Sequence, residues 1–473
     1  MIFNSFSFVT FFLAVLLVIG VTDRFVHNTK IRNVLLLIAS YYLYGTFHWG
    51  FLLILLFVTA INYVAPLAMK RYENKRKLIC ATAIVLSLLP LFTYKYLNFF
   101  LTGVLGLEQI QEQWTWLSRL VLPVGISFFT FQALTYTIDV YRGKIESRKN
   151  VIDVALFVSF FPTVLSGPIE KARNLLPQIE KPVGVSLRAI TEGATIFVYG
   201  LFKKVVIADR LASYVDWAYG SYEYMQGGTL ALAAIFYSIQ IYCDFSGYSD
   251  MAWGVAKCLG FNITRNFNFP YFATSIKEFW HRWHISLTSW FTEYVYFSLG
   301  GNRVRLKVRW VFNISMVFIL SGIWHGAAWN FLIWGCLHAV YYLIEHFLGL
   351  QKKGFELPKW LKLPSSIVVF ALVTLAWIFF RVGDMGQAAG IIQRIFTYRT
   401  FSASVGASTF TFVCNMALLV TFALIEILVY KKLLLTERKG TFCTWGNALL
   451  TVALLLMIAL FGMQSDSFVY FQF

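Results

Sequence analysis

Apolar runs of bilayer-crossing length, separated by short polar clusters, recur along almost the whole chain. They lie at 8–21, 34–44, 50–67, 78–101, 114–138, 189–208 and 230–259, then at 311–324, 327–348, 365–380, 410–429 and 448–461. Taken together they predict an all-α polytopic membrane protein with about eleven transmembrane helices. Pro123 and Gly125 loosen the start of the fifth run. The run 151–165 is too short to cross and ends in Ser166-Gly-Pro-Ile-Glu170, which predicts a re-entrant or broken helix. Asp244 and Asp250 interrupt 230–259 within the polar stretch 242–250. The first run has neither a basic stretch ahead of it nor a small-residue cleavage site, so it reads as a retained span. With no repeat and no separating linker, 1–473 reads as one membrane domain ending in a short tail, 464–473.

Composition agrees: 58% of residues are hydrophobic and 13% charged, more apolar surface than a water-facing protein can hide. The formal charge of +17 comes from basic clusters between apolar runs, not from one basic domain. That is the positive-inside pattern of a multi-pass membrane protein and argues against nucleic acid as a partner. Cys80, Cys243, Cys258, Cys336, Cys414 and Cys443 show no paired spacing and read as small packing residues. The basic clusters at 70–77, 303–309, 352–362 and 431–439 go to the cytoplasm, which sends the C-terminal tail to the other face. Residues 310–349 then form a hairpin between two cytoplasmic ends, with His325 near its turn, roughly 22 Å along the rising helix.

The one dense cluster of histidine and tryptophan runs from Trp280 to Trp290 and resumes at Ser321–Asn330. A histidine among apolar residues is costly unless it is used, and desolvation keeps its imidazole neutral and basic. His325, flanked by Gly322 and Gly326 that would admit a close neighbour, therefore fits a proton acceptor; hydrogen-bonded packing is the structural alternative. His281 and His284 are three residues apart, which on a helix is one face, beside Trp280, Trp283 and Trp290. An interfacial anchor explains such a helix as well as chemistry does. No third ligand is spaced to complete a metal site. Asp244 and Ser246 lack the glycine-flanked elbow of a nucleophile and suit hydrogen bonding within the bundle or orientation of an imidazole. Lys203, Lys204, Asp209 and Arg210 suit lipid headgroups or a phosphate-bearing donor equally.

Four segments together, Ser166-Gly-Pro-Ile-Glu170, Asp244-Phe-Ser-Gly-Tyr-Ser-Asp250, Trp280-His-Arg-Trp-His-Ile-Ser286 and Ser321-Gly-Ile-Trp-His-Gly326, resemble the membrane-bound O-acyltransferase family. The resemblance covers nearly the whole chain and is strongest to the bacterial branch that O-acetylates exported polysaccharides such as alginate and peptidoglycan. It implies helices ringed about a central funnel, His325 as the catalytic histidine, His284 as a second polar position, and a cytosolic acyl thioester as donor. A related system that D-alanylates teichoic acids uses a Phe-x-Tyr-x-x-Phe tail as acyl carrier. The end of this chain, Phe468-Val-Tyr-Phe-Gln-Phe473, fits that pattern.

The expected mechanism follows. Acyl-coenzyme A, with acetyl as the group, enters from the cytoplasm; His325 is the general base and Tyr470 the acceptor that passes the acyl group to an exported or membrane-anchored O-acetyltransferase partner. Trp280, His281, Trp283, Asp244, Ser246, Trp324 and Asn330 are the expected substrate-binding residues, with no bound cofactor and no metal. The expected location is a bacterial inner membrane. Rival readings are D-alanyl transfer to cell-wall polymers, a polysaccharide transporter, and a non-catalytic export scaffold; the transporter lacks the inverted repeats and multiple charged spans it would need.

Overall fold

The apolar runs of the sequence become helices. The computed structural model describes residues 1–107, 109, 114, 120–182, 184–352, 357–397, 408–435 and 445–463. In order, the helices are α1 (Phe6–Phe25), α2 (Thr29–Gly45), α3 (Trp49–Arg71) and α4 (Glu73–Val104). Next come α5 (Ile126–Tyr141), α6 (Val151–Ser159), α7 (Ala172–Glu180), α8 (Leu187–Phe202), a π-helical turn (Lys203–Ala208), α9 (Asp209–Gly220) and α10 (Gly227–Cys258). The chain continues with α11 (Ile276–Arg282), α12 (Ile285–Trp290), α13 (Lys307–His325), α14 (Trp329–Phe347) and α15 (Lys359–Arg381). It closes with α16 (Met385–Thr397), α17 (Thr409–Tyr430) and α18 (Trp445–Phe461). Among the described residues there is no strand. Seven of these helices, α1, α3, α4, α10, α13, α15 and α17, are long and apolar enough to span a membrane, and α18 is a shorter apolar helix.

Two expectations about helix boundaries change. Helix α10 is unbroken where 242–250 suggested an interruption. Lys204 Nζ lies 2.5 Å from Asp244, and Lys203 Nζ donates to Ser246 Oγ at 3.1 Å, so these polar groups are satisfied within a regular helix. In the fifth run a regular helix starts at Ile126, where Gly125 at its N-cap takes φ +75. A Cβ there would sit 2.3 Å from the Val164 carbonyl oxygen. The predicted break after α6 is present: α6 stops at Ser159, and the chain turns through buried residues 160–170.

Contacts divide the chain into two compact units. The first comprises Met1–Val198 and Tyr248–Arg265. Buried side-chain hydrogen bonds tie its helices: Asn62 donates to Ser87 at 2.8 Å and accepts from Thr137 at 2.6 Å, while Arg32 donates to the Ile179 carbonyl at 2.9 Å. In its turn region, Glu170 accepts from Asn174 at 2.6 Å and from the Thr264 amide. The second unit comprises Tyr199–Gly247 and Asn266–Phe473 and carries the whole histidine and tryptophan cluster. Cys80, Cys243, Cys258, Cys336 and Cys414 are free thiols.

Candidate functional site

Helix α11 opens with Ser275 at its N-cap, whose hydroxyl accepts from the Glu278 amide at 3.0 Å. Glu278 reaches back to the Thr274 amide at 2.8 Å and also accepts from Arg282 at 2.7 Å. Desolvation alone would raise the Glu278 carboxyl, but these donors outweigh it and hold it below the usual range. Glu345, from the far end of α14, accepts the Ile276 and Lys277 amides at 2.5 and 3.0 Å, which fixes α11 against the hairpin.

The helix then stops. His284 takes φ +42, a left-handed conformation, as the N-cap of α12. The break separates the two histidines that a continuous helix would place on one face. His281 stays exposed, with Nδ1 2.6 Å from the Lys277 carbonyl of its own helix, whereas His284 is 0% exposed. The tryptophans turn inward as well and are not an interfacial belt. Trp283 packs on Trp377 at 5.0 Å between ring centroids, and Trp280 on Phe318 and Trp334 at 5.5 and 5.7 Å.

His325 is the last residue of α13 and is 3% exposed. Three rings wall its imidazole: Trp324 and Trp334 at 5.0 Å and Phe380, from α15, at 5.2 Å. The ring of His284 is 6.5 Å away. Gly322 and Gly326 are spent on the hairpin itself and do not admit a substrate. A Cβ at Gly322 would lie 2.3 Å from the Phe331 carbonyl, and one at Gly326 would lie 2.0 Å from the Phe331 ring. Gly335 faces Gly322 across the same seam, so α13 and α14 approach backbone to backbone. That close approach sets Trp334 against His325.

His284 is placed by its surroundings. Phe245, on α10, meets its ring edge-on at 4.7 Å, and Trp324 does so at 6.0 Å. Asn266 Oδ1 lies 3.3 Å from His284 Nδ1 and also accepts from Ser286, through the amide at 3.1 Å and the hydroxyl at 2.7 Å. Outside the spans, burial lowers the proton affinity of the His284 imidazole and keeps it neutral.

A second polar cluster sits in the same unit. Lys204 bridges Asp209 at 2.8 Å and Asp244 at 2.5 Å, all three buried. Lys203 lies over the rings of Tyr199 and Tyr242 at 4.6 and 5.6 Å. Both tyrosine hydroxyls donate to Glu426, that of Tyr242 at 2.9 Å.

Of the residues expected from the sequence, His325, His284 and Trp324 come together; Trp280 and Trp283 form the aromatic wall behind them. Asp244 and Ser246 are engaged with the two lysines. Asn330 ties α14 to the end of α15, donating to the Phe379 and Val382 carbonyls at 3.1 and 2.7 Å. Tyr470 and the tail 464–473 lie outside the described residues. The root of that tail is fixed, because Arg210 donates to the Phe461 carbonyl at 2.6 Å and the Met463 amide donates to the Val205 carbonyl at 2.9 Å. Sequence reading missed Asn266, Trp334, Phe380 and Glu345. An asparagine 18 residues before His284 in a loop carries no periodic signal, and Trp334 and Phe380 read as ordinary core.

Comparison with known proteins places this geometry in context. The sequence profile described as MBOAT, membrane-bound O-acyltransferase family, matches residues 36–382. A probable alginate O-acetylase of Pseudomonas aeruginosa is 37% identical over 413 residues, covering 85% of this chain and 76% of that protein. A peptidoglycan O-acetyltransferase of Helicobacter pylori is 32% identical over 424 residues, 83% of this chain and 79% of that protein. A teichoic acid D-alanyltransferase of Bacillus subtilis is 27% identical over 345 residues, 66% of this chain and 80% of that protein.

Proposed function

The chain belongs to the membrane-bound O-acyltransferase family and is an acyltransferase, and from that premise we propose that it moves an acetyl group from a cytosolic thioester to the hydroxyl chemistry of an exported polysaccharide. The observation that carries the reading is the position of His325: a buried imidazole ending a hairpin helix, walled by Trp324, Trp334 and Phe380, with a second imidazole 6.5 Å away. Such a place suits a general base.

Acetyl-coenzyme A is the donor. His325 takes the proton from the acceptor hydroxyl as the oxygen attacks the thioester carbonyl. The carbon–oxygen bond forms, the carbon–sulfur bond breaks, and the departing thiolate takes the proton back from the imidazole. The surrounding indoles exclude water, which would otherwise hydrolyse the thioester. Tyr470 is the acceptor on this side of the reaction, and an exported or membrane-anchored partner completes transfer to the glycan. Basic residues Lys431, Lys432, Arg438 and Lys439 support a reading in which the loop before the last span lies in the cytoplasm beside a bacterial inner membrane and the tail lies on the far face. D-Alanyl transfer is the second reading, favoured by the tail pattern and by the Bacillus relative, but that relative shares less of this chain than the O-acetylating ones do.

Purified full-length protein supplied with acetyl-coenzyme A and its partner should release free thiol. His325→Ala should lower that rate by about 10²–10⁴-fold, the contribution of a general base. Near wild-type turnover in that variant would overturn the assignment. Tyr470→Phe removes only the hydroxyl, so undiminished glycan acetylation with it would eliminate the carrier step.

A further inference from the structure

The amide of Asn266 decides which nitrogen of His284 carries the proton. The backbone N–H of Ser286 can only donate, and it points at Asn266 Oδ1 from 3.1 Å. The atom facing Ser286 is therefore the amide oxygen and not the amide nitrogen, and the Ser286 hydroxyl at 2.7 Å is satisfied by the same atom. His284 Nδ1 faces that oxygen from 3.3 Å. Two lone pairs would repel there, so Nδ1 carries the hydrogen and donates. A neutral imidazole has one N–H, which leaves Nε2 without a hydrogen and able only to accept.

The backbone holds this arrangement. The Ile285 amide donates to the Asn266 carbonyl at 2.9 Å, and the Asn268 amide donates to the Arg282 carbonyl at 2.9 Å. Residues 266–268 thus clamp the break between α11 and α12, where His284 adopts its left-handed conformation. Among the described residues, Phe245, Asn266, Trp324 and His325 are set against the imidazole, and of these four His325 is titratable. Phe245 and Trp324 offer ring edges and faces and do not reorient a proton.

We infer that Asn266 is a positioning residue of the acyl-transfer site, fixing His284 as the Nδ1–H tautomer so that Nε2 stands as a proton-accepting nitrogen beside His325. Resting on the proposed function, this gives the second histidine a definite task. The acceptor hydroxyl has one hydrogen: it is donated to Nε2 of His284 while the acceptor docks, and it turns to His325, which removes it as the oxygen attacks. It also gives the pair an asymmetry, since one imidazole has its tautomer imposed by an amide and the other is walled by rings.

The direct test leaves the protein unchanged. Nitrogen-15 NMR of histidine-labelled full-length protein in bilayers, with the His284 signal identified by its loss in His284→Gln, should report protonated Nδ1 and unprotonated Nε2. Protonated Nε2 would overturn the inference. Asn266→Ala should lower kcat at least about tenfold, as a misplaced imidazole proton does, with KM for acetyl-coenzyme A nearly constant. Asn266→Asp keeps an accepting oxygen but adds a negative charge, which raises the affinity of His284 for a second proton. Its Nε2 then becomes a donor at higher pH than in the wild type, so the acid limb of the pH–rate profile should move upward in pH and activity should recover on the alkaline side. A residue serving only the fold would lower activity evenly across pH and would not recover. If thiol release depends on His325 but is indifferent to Asn266, the positioning role falls and the acyltransferase reading stands; if His325→Ala is active, the reading itself falls.

Discussion

Two groups of buried polar residues share the second unit and are settled in opposite ways. Around Lys204 every charge meets an opposite charge, with Asp209 and Asp244 at 2.8 and 2.5 Å, and the neighbouring Lys203 is matched by Ser246 and the two tyrosines that hold Glu426. Around His325 three aromatic rings close in, those of Trp324, Trp334 and Phe380. A buried cation compensated by carboxylates is explained by the stability of the structure it joins. An imidazole set among Trp324, Trp334 and Phe380 at the end of a helix is placed among rings instead, where an ionisable group is costly to keep unless it is used. Buried polarity alone therefore does not identify a site; the character of the neighbours does.

Substitutions can break this comparison. The largest separation is expected between His325→Ala and Lys204→Met. The first should abolish turnover while the detergent-solubilised protein melts within a few degrees of wild type. The second leaves two buried carboxylates without their cation and should destabilise by roughly 3–5 kcal/mol, seen as a lower melting temperature and poor accumulation. If Lys204→Met melted normally and merely lost activity, the lysine cluster would be part of the site and the contrast would collapse. A smaller effect is expected from Gly322→Ala, whose added methyl would meet the Phe331 carbonyl at 2.3 Å. Forcing α13 and α14 apart should cost about 1–3 kcal/mol and lower activity through the shifted Trp334 wall. The smallest change belongs to His281→Gln. That side chain is exposed and bonded within its own helix, so turnover should stay within about threefold of wild type. A loss comparable to that of a His284 variant would restore the two histidines to a common role.

Much of the architecture was legible in the chain. Hydrophobic run lengths marked helices, though among the described residues seven, against the expected eleven or so, are long and apolar enough to span, and the proline and glycine after 151–165 marked the broken segment, because both signals are local. His325 was legible because an ionisable residue in an apolar hairpin is conspicuous. The details that pair side chains across distance were not. Asp244 looked like an interruption of α10 since its partner Lys204 lies forty residues earlier and on another helix. Gly322 and Gly326 looked available to a substrate because only the fold shows Phe331 occupying their space. His281 and His284 looked like one face because nothing in the residue type announces a left-handed backbone at a histidine. Asn266 was invisible for the same reason that it matters: it acts from a loop, through one oxygen, on a residue far along the chain.

The π-helical turn at Lys203–Ala208 has a consequence for how this protein tolerates change in length. A π turn holds one more residue than the α-helical turn it replaces, so removing a residue there would return an ordinary α turn, whereas a removal in the α-helix on either side would rotate everything beyond it by about 100°. Lys203 and Lys204 lie at its start, Arg210 lies just past its end, and the Val205 carbonyl within it receives the Met463 amide. The contacts of the lysines with α10 and the mooring of α18 thus both hang from this one turn. A one-residue deletion in α8 or α9, which have no extra residue to lose, should disturb both at once.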